Sequence, residues 1–439
     1  MTGDTFDPPP VEPMAGGTVA NSYAPALGVG PTGLVAAAGP IADQADGRRG
    51  RTSMRRVLLL SFIGPLVLAT AGLGAGGWYY SDELLPAPVP GDPVYDVEVV
   101  ATDESTGTLT LAATEGDLVD LPSVGFQTAG GLLALQGNTT TTADGVERSG
   151  ALLTGNWPDV GDLGQASVAT FAGSPEETLG LTTTTIDIEG DLGTMPSWRV
   201  VEPGMDTTGT WAVLVHGRGA EKDEVNRALT ITSELGLPGL AVAIRNDPDA
   251  PADPDGYGRF GDVEWRDLEV AIDHLRETEA ADSFVLVGYS QGAGIILNYL
   301  RRTDDPGDIE AAALISPLVS MDATLVQQAQ ARDIPGPLIR PLLVSAKIVT
   351  RLRSGMVFSN LEHARDADEL STPLLVTHGT LDSTVPIEPS RELADARPDL
   401  VIYEEYEGVE HVREWNTDRA RFEADLRAFL NQYIPAPSG

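Results

Sequence analysis

The fold is decided by residues 284–292, which read FVLVGYSQG. The first four residues form an apolar run that predicts a strand buried on both faces, and a helix is predicted from Gln291 onward. Between them, Gly288 and Gly292 permit a sharp turn and a close approach of helix to strand, because glycine has no Cβ. Such a turn holds the Ser290 hydroxyl above the edge of the sheet, where another side chain can remove its proton.

Two candidate partners of this serine follow in the chain, each just after a predicted strand. Asp382 lies on the loop after the apolar run 374–377, and His411 lies on the loop after a further strand at 401–403. Imidazole is a suitable general base because its pKa lies near neutrality, and a carboxylate can fix its tautomer and stabilise its protonated form. The order Ser290, Asp382, His411 therefore predicts a catalytic triad.

The acidic position has a rival in Asp322, which follows the predicted strand 311–315. We favour Asp382, because it leaves the strand immediately before the one that leads to the histidine. Each of these residues also has a structural interpretation, since serine is frequent in glycine-rich turns and histidine on surfaces. Their occurrence in order, each at a strand end, favours the catalytic interpretation.

A glycine-rich segment upstream completes the candidate site. The apolar run 211–215 ends in His216, Gly217 and Arg218. Backbone N–H groups in such a turn can face the oxygen of a reacting carbonyl. We expect the N–H groups of Arg218 and Gln291 to be the oxyanion donors, and the dipole of the helix that begins at Gln291 favours negative charge there. His216 is expected to shape the turn by hydrogen bonding.

The region from about residue 183 to residue 433 resembles the α/β-hydrolase superfamily. Within it, the chain is most similar to bacterial membrane-anchored hydrolases related to the serine aminopeptidase and prolyl-oligopeptidase-like branch. The segments that carry the resemblance are VHGRG (215–219), GRFGDVEWRD (258–267), GYSQG (288–292), HGTLD (378–382) and HVREWN (411–416). The resemblance implies an α/β-hydrolase fold and a serine-hydrolase mechanism. It implies no particular substrate, because this fold hosts many activities.

Strands and helices alternate over residues 176–439, which predicts an α/β catalytic domain with a mostly parallel sheet and helices on both faces. Two antiparallel strands, at 183–189 and 197–201, are expected first. The parallel strands are then expected at 211–215, 240–244, 284–287, 311–315, 374–377 and 401–403.

Two insertions in this domain are candidates to shape a substrate pocket. Residues 246–262 are rich in Asp, Pro and Gly, but their carboxylates do not have the spacing of an EF-hand loop, so no metal is expected. Residues 319–368 predict a cap over the active site, with a pair of packing helices as the alternative. Arg351 and Arg353 in this cap are candidates to bind a substrate carboxylate.

The N-terminal region predicts a membrane anchor. Residues 1–56 are rich in Pro, Gly and Ala and end in a cluster of arginines, which indicates a disordered tail with a basic end. Residues 57–80 carry no charge and match the length of one membrane-spanning helix, with Trp78 near an aromatic end. The positive-inside rule places the tail in the cytoplasm and the catalytic domain outside a cell membrane that is crossed once. A cleaved signal peptide that begins at Met54 is the alternative.

Residues 81–175 predict a linker and a small β-rich domain. Short alternating runs such as 95–99 and 108–111 are typical of strands. This part contains no catalytic motif. We expect it to act as a spacer between membrane and enzyme, with the binding of a substrate or partner as the alternative.

Composition excludes several classes of function. The chain has 439 residues and a net charge of −37, which argues against a nucleic-acid partner, because such a partner requires a basic surface. An anionic membrane surface would also repel the folded part as a whole. The absence of cysteine excludes disulfides, thiolate metal sites and a cysteine nucleophile.

The sequence therefore predicts a membrane-anchored serine hydrolase that needs neither metal nor cofactor. An ester of a small molecule is the expected substrate, and a peptide or amide is the second choice. Acyl transfer to an alcohol other than water would use the same residues. The alternative outside catalysis is an inactive hydrolase-fold protein of the cell envelope that only binds. The sequence identifies no protein partner.

Overall fold

The computed structural model describes residues 54–88, 93–304 and 306–434, with the side chains of 54–66, 68 and 69 excepted. The predicted disordered tail lies outside this description up to Ser53. The helices are α1 (Met54–Leu84), α2 (Asp117–Asp120), α3 (Pro175–Leu179), α4 (Asn226–Glu234), α5 (Trp265–Thr278), α6 (Gln291–Arg302), α7 (Met321–Ala331), α8 (Gly336–Ser354), α9 (Glu388–Ala396), α10 (Glu414–Thr417) and α11 (Arg419–Tyr433).

The strands form two separate sheets. The first six are β1 (Val97–Asp103), β2 (Thr108–Leu111), β3 (Ser123–Thr128), β4 (Gly131–Thr142), β5 (Gly145–Gly155) and β6 (Leu163–Ser167). The other eight are β7 (Thr183–Gly190), β8 (Gly193–Val200), β9 (Thr210–Val215), β10 (Gly239–Ala241), β11 (Ser283–Tyr289), β12 (Ile309–Ile315), β13 (Leu374–Gly379) and β14 (Val401–Tyr406).

The eight-stranded sheet has the order β14-β13-β12-β11-β9-β10-β8-β7. All neighbours from β14 to β10 are parallel, whereas β8 pairs antiparallel with both β10 and β7. The carboxyl ends of the parallel strands therefore meet at one edge of the sheet, which is where ligands bind in open α/β sheets. This is the α/β-hydrolase fold that the sequence predicts.

Helices cover both faces of this sheet because its strands are apolar on both sides. Neighbouring strand residues alternate between the two cores, so that Val213 packs towards α5 and α6 while Leu214 packs towards α4 and α11. Helix α5 contributes a row at helical spacing, Leu268, Ala271, Ile272 and Leu275, and all four are fully buried.

Residues 97–167, here called the β-domain, form a closed antiparallel barrel in the order β1-β2-β5-β4-β3-β6. Its interior is filled by apolar side chains, among which Phe126 and Leu133 are fully buried. One charged side chain, Arg148, is also buried, and it donates hydrogen bonds to the carbonyls of Leu118 (2.7 Å) and Pro122 (3.1 Å). These bonds hold α2 and the following loop against the barrel.

The segment between β12 and β13 contains α7 and α8, and α8 packs lengthwise against α1. The two helices approach closely because α1 has glycine at the contact. A Cβ on Gly77 would lie 2.8 Å from the carbonyl carbon of Ser345, and the Ser345 hydroxyl donates a hydrogen bond to the Leu73 carbonyl at 2.7 Å.

Within the part of the chain that the structure describes, no helix is both long and apolar enough to cross a membrane. The transmembrane helix predicted over residues 57–80 is therefore not supported. The side chains of residues 57–66, 68 and 69 are outside the description, and glycine occupies four of the six positions 72–77, where it adds little hydropathy.

Candidate active site

The turn between β11 and α6 has the strained geometry that its sequence predicts. Ser290 has φ 48° and ψ −111°, a conformation that side chains other than glycine rarely adopt. A Cβ on Gly288 would lie 2.7 Å from the Ala293 nitrogen, and a Cβ on Gly292 would overlap the Val215 carbonyl oxygen. Glycine at both positions is therefore what lets the helix start directly behind the serine.

The structure brings the three predicted triad residues together. His411 Nε2 lies 2.8 Å from Ser290 Oγ, and His411 Nδ1 lies 2.6 Å from Asp382 Oδ2. All three residues are buried, with at most 8% of their surface exposed. The contacts require that Nδ1–H donates to the carboxylate, which leaves Nε2 to accept the serine proton.

Asp382 is fixed by four hydrogen bonds. Its Oδ1 accepts the backbone N–H groups of Thr384 (2.9 Å) and Val385 (2.7 Å), and its Oδ2 accepts from His411 and from His378 Nε2 at 3.1 Å. Burial acts to raise the pKa of this carboxyl, but the two histidines outweigh burial and hold the pKa well below its ordinary value. Asp382 is therefore an anion at neutral pH.

The contact of His378 with Asp382 is a feature that the sequence interpretation missed. His378 is fully buried at the end of β13, and its Nδ1 lies 2.8 Å from Ser390 Oγ. The Ser390 hydroxyl can donate to Nδ1, so that Nε2–H points to the carboxylate. The available signal was the spacing of four residues between His378 and Asp382 on one strand and its loop.

The loop of residues 216–219, which carries the predicted oxyanion donor Arg218, is held by two carboxylates. Glu224 Oε2 accepts the Gly217 N–H at 2.7 Å, and Asp247 Oδ2 lies 3.0 Å from His216 Nε2. Burial lowers the pKa of His216, but the charge and hydrogen bond of Asp247 outweigh burial and raise the pKa to about 9. His216 is thus a charged structural group of this loop.

The two predicted oxyanion donors flank the serine in different ways. Gln291 is the first residue of α6, where a backbone N–H has no partner within the helix. Arg218 follows β9, and its side chain reaches the residues at and just after the end of α1. The guanidinium donates to the Pro86 carbonyl at 2.8 Å and lies 4.7 Å from the ring centre of Phe260. The backbone roles of both residues stay predictions.

The loop of His411 is anchored on the core by polar contacts. The next residue, Val412, has φ 56°, its N–H donates to Ser316 Oγ at 3.2 Å, and its carbonyl accepts from Arg227 at 3.1 Å. The Ser316 hydroxyl in turn donates to the buried carboxylate of Glu414 at 2.8 Å. These bonds fix the backbone on the carboxyl-terminal side of the histidine.

The β-domain contacts the same loop. Arg413 forms an ion pair with Asp117 of α2 at 2.8 Å. Asn416 Nδ2 donates to the carbonyl of Ser123 at the start of β3 at 2.9 Å. The β-domain therefore lies directly against the segment that carries the histidine. A spacer role alone, which the sequence suggests, does not account for these contacts.

An apolar cluster adjoins the triad on the side of α7. It consists of Leu318, Met321, Met356, Phe358, Leu361 and Val385, with Leu84, Phe260 and Leu325 packed against them. The Leu318 N–H donates to the Ser290 carbonyl at 3.2 Å, so that the cluster begins directly beside the nucleophile. Leu84 belongs to α1, which therefore reaches the surroundings of the site.

Other candidate residues lie elsewhere. Asp322 is half-exposed on α7 and pairs with Lys347 at 2.5 Å, so it is not the triad acid. Arg353 pairs with Asp82 at 2.6 Å, which removes it as a binder of a substrate carboxylate, whereas Arg351 is exposed on α8. The described residues contain no group of three or more His, Asp or Glu side chains placed to hold a metal ion.

Part of the chain is similar to a known protein family. Residues 213–365 match the family model described as serine aminopeptidase, S33, a segment that includes Ser290 but ends before Asp382.

Among similar solved structures, the esterase Pf2001 of Pyrococcus furiosus is 17% identical, with 60% of this chain and 95% of that chain covered and a TM-score of 0.47. The esterase RhEst1 of Rhodococcus sp. ECU1013 is 18% identical, with 58% and 100% covered and a TM-score of 0.40. Est1E of Butyrivibrio proteoclasticus is 14% identical, with 57% and 98% covered and a TM-score of 0.42. Similarity at this level carries no information about a substrate.

Proposed function

We propose that this chain, a serine hydrolase of the α/β-hydrolase superfamily, cleaves carboxylic esters through Ser290, His411 and Asp382. The observation that carries the proposal is the unbroken chain of short contacts from Ser290 Oγ through both nitrogens of His411 to the Asp382 carboxylate, at 2.8 and 2.6 Å. All three groups are held in place before any substrate arrives, which is the arrangement that acyl transfer requires.

In the proposed reaction, Ser290 Oγ attacks the ester carbonyl while His411 Nε2 takes its proton. Asp382 stabilises the imidazolium without taking the proton itself. The N–H groups of Arg218 and Gln291 stabilise the tetrahedral oxyanion. His411 then returns its proton to the leaving alcohol, and an acyl-serine remains. Water, activated by His411, releases the acid and restores the Ser290 hydroxyl.

The apolar cluster beside Ser290 supports an ester over a peptide as substrate. Its six core residues are buried and run from Leu318 on the nucleophile side to Val385 on the side of the triad acid. The partly exposed residues at its edge, Leu84, Phe260 and Leu325, offer hydrocarbon surface for an acyl chain. A peptide would in addition need polar partners for its backbone N–H and carbonyl groups. The cluster thus favours an apolar acyl group, with peptide or amide cleavage as the second choice.

The proposal includes attachment to the outer face of a cell membrane. It rests on the sequence, in which a cluster of arginines precedes the uncharged residues 57–80. The test is protease treatment of intact spheroplasts that express the full chain with a C-terminal tag. We expect the tag to be lost from intact spheroplasts. Protection of the tag until the membrane is lysed would overturn the outside location.

The activity is tested first by labelling the full chain with a fluorophosphonate probe, beside Ser290→Ala and His411→Ala. We expect labelling of the parent and none of Ser290→Ala, with labelling of His411→Ala slower by at least about three orders of magnitude. Failure of a folded parent to react would refute the activated serine and favour a protein that only binds.

If the parent protein reacts with the probe, the next test is which type of bond it cleaves. Esters of increasing acyl length are compared with amides of the same acyl groups. Because the apolar cluster adjoins Ser290, we expect kcat/KM to rise with acyl length and esters to be hydrolysed faster than their amides. A preference for peptide amides with a free amino terminus would replace the esterase proposal by an aminopeptidase.

A further inference from the structure

Helix α8 exposes an apolar side where a surface helix ordinarily carries polar residues. Its apolar stripe, defined here as Leu338, Val344, Ile348 and Leu352, is exposed by 50, 58, 56 and 81%. The last three residues follow one another at intervals of four, so that they lie in a row along the helix. The opposite side, with Ile339, Ala346 and Thr350, is buried. The stripe is therefore a second apolar face that no described part of the chain covers.

The charge of α8 is opposite to that of the rest of the chain. Its 19 residues include four cations and no acid, in a chain whose net charge is −37. Lys347 and Arg353 are engaged with Asp322 and Asp82. Arg340 and Arg351 are exposed and form no ion pair with any described residue.

These two arginines flank the apolar stripe on one side. At about 100° per residue, Arg340 and Arg351 fall about 20° apart on the helix surface and beside Val344. An apolar row with cations along its edge complements a surface that is apolar inside and negatively charged outside. A bilayer that contains anionic lipid has this layering, and a folded acidic protein does not. The electrostatic attraction is confined to this helix, because an anionic surface repels the chain as a whole at its net charge of −37.

Helix α1 extends the exposed apolar surface next to α8. Trp78 and Tyr79 are each exposed by 55%, and the Arg353 guanidinium of α8 lies 4.6 Å from the ring centre of Trp78. Tryptophan and tyrosine are the side chains that favour the boundary between lipid and water. In the sequence, these aromatics end an uncharged segment that begins at Val57, which also favours lipid as the occupant.

We propose that the apolar stripe of α8, with Arg340, Arg351 and the aromatics of α1, docks on the surface of an anionic lipid bilayer. The helix would lie parallel to the membrane, with the stripe in the outer part of the acyl region and the arginines at the lipid phosphates. This docking goes beyond the proposed ester hydrolysis and does not depend on turnover. It involves the aromatics at the end of α1 as well as α8, and it does not require that any segment crosses the membrane.

The test uses the absence of cysteine from the chain. The full chain is labelled with an environment-sensitive fluorophore at Ile348→Cys or, as the matched control, at Val160→Cys. Ile348 and Val160 are similarly exposed, at 56 and 63%, but Val160 lies between β5 and β6 of the β-domain. Vesicles are made of phosphatidylcholine with or without phosphatidylglycerol, and some carry nitroxide-labelled acyl chains that quench a fluorophore in contact with them.

We expect a blue shift and nitroxide quenching at position 348 on vesicles with phosphatidylglycerol, and little change at position 160. The double change Arg340→Gln, Arg351→Gln should raise the lipid concentration for a half-maximal shift several-fold, because each exposed cation adds to the attraction. Arg419→Gln, which removes a half-exposed arginine of α11, should leave it unchanged.

Three results would overturn the proposal. The first is an unchanged signal at position 348, whether or not the protein floats with the vesicles. The second is an equal response at positions 348 and 160 or on both lipid compositions. The third is a blue shift at position 348 that grows with protein concentration in the absence of lipid, which would identify a second copy of the chain as the occupant.

Discussion

Two parts of the chain outside the α/β core contact different loops of the candidate active site, and they do so with different chemistry. The β-domain contacts the loop of His411 through an ion pair and directional hydrogen bonds. Helix α1 and the residues after it contact the loop of Arg218 through backbone carbonyls and apolar side chains. The β-domain can therefore hold the loop of the catalytic histidine in place, whereas α1 can hold only the loop of the predicted oxyanion donor Arg218.

On the histidine side, the contacts fix position in three dimensions. The guanidinium of Arg227 joins the carbonyl of Val412 to that of Val168, just beyond β6, and the Arg413–Asp117 pair lies next to it in the chain. Polar contacts of this kind lose much of their energy when they shift by less than 1 Å. The histidine is therefore held by a rigid neighbour.

On the side of α1, contacts tolerate sliding. Leu84 packs into the apolar cluster, and Arg218 faces the ring of Phe260 while its guanidinium reaches carbonyls of residues 84 and 86. Apolar packing is non-directional, so a displaced helix can keep part of it. We therefore expect changes in the β-domain contacts to lower kcat and changes in the α1 contacts to alter substrate access and KM.

The largest effect should come from Asp382, whose role in the triad depends on neither the β-domain nor α1. Asp382→Asn leaves the shape intact but favours the wrong tautomer of His411, and we expect kcat for a short soluble ester to fall by about 10⁴-fold. Asp322→Asn is the control, because Asp322 pairs with Lys347 at the surface. It should change kcat by less than about twofold. A comparable loss of kcat in both variants would show that Asp382 is wrongly assigned as the triad acid.

Of the two carboxylates that hold the loop of residues 216–219, Asp247 acts through His216, and raising the pH should remove this support. The pKa of His216 is raised to about 9 in the folded state, compared with about 6.5 in the unfolded chain. A raised pKa means that its stabilisation is fully present below about pH 6.5 and is lost as the pH rises through about 9. The amount at stake is about 3 kcal/mol.

This dependence is measured from the free energy of unfolding of the parent and of His216→Gln between about pH 6 and pH 10. Glutamine can still donate a hydrogen bond to Asp247 but carries no titrating charge. We expect the parent to have the larger free energy of unfolding at low pH, and we expect its difference from His216→Gln to shrink as the pH rises. A constant difference over this range would show that the charge of His216 does not support the loop.

The contact of the β-domain with the histidine loop should have a smaller effect that appears in kcat. Arg413→Gln removes the ion pair with Asp117, whose two side chains are each about one-fifth exposed. We expect kcat to fall about three- to tenfold with KM nearly unchanged, because about 1 kcal/mol of support for the loop is lost. Arg413→Lys should restore part of the loss. An increase in KM at constant kcat would place this contact on the substrate side instead.

Arg419→Gln serves as the control for Arg413, since Arg419 pairs with Glu423 on the exposed side of α11. It should leave kcat and KM within twofold of the parent. Asp117→Asn should reproduce the effect of Arg413→Gln, and the double variant should be no worse than either single one. Additive losses in the double variant would show that the two residues act separately.

The sequence predicts the parallel sheet well because burial on both faces demands continuous apolar runs. The predicted strands 311–315 and 374–377 lie within β12 and β13, and the sharp turn at Ser290 follows from glycines at fixed places. The prediction is less accurate at 240–244, because β10 ends at Ala241 although the residues up to Ile244 stay buried. An apolar run in the sequence predicts that a segment is buried, but it does not predict how far that segment pairs with neighbouring strands.

The contacts that distinguish the two sides could not be predicted from local patterns. Asp117 and Arg413 are 296 positions apart, and Leu73 and Ser345 are 272 apart. A single sequence carries no signal for such pairs, since each residue also fits a solvated surface. The interaction of His378 with Asp382 is different, because their spacing of four residues was visible and needed only the direction of two side chains.

The smallest effect should come from the contact between α1 and α8, and a pair of glycines tests it. Gly77→Ala places a methyl group against the backbone of Ser345, whereas Gly74→Ala meets no atom within 4 Å. Alanine stabilises a helix by about 1 kcal/mol relative to glycine, so Gly74→Ala should be neutral or slightly stabilising.

In Gly77→Ala the clash should displace α1 from α8 while the β-domain still holds the histidine. We therefore expect faster proteolytic cleavage near residues 84–88, a KM for a long-chain ester changed by about two- to fivefold, and a kcat for a short ester within about twofold of the parent. Gly74→Ala should match the parent in all three measurements. A large loss of kcat in Gly77→Ala alone would show that α1 also fixes the catalytic groups, and the proposed division between a rigid histidine side and a sliding α1 side would be wrong.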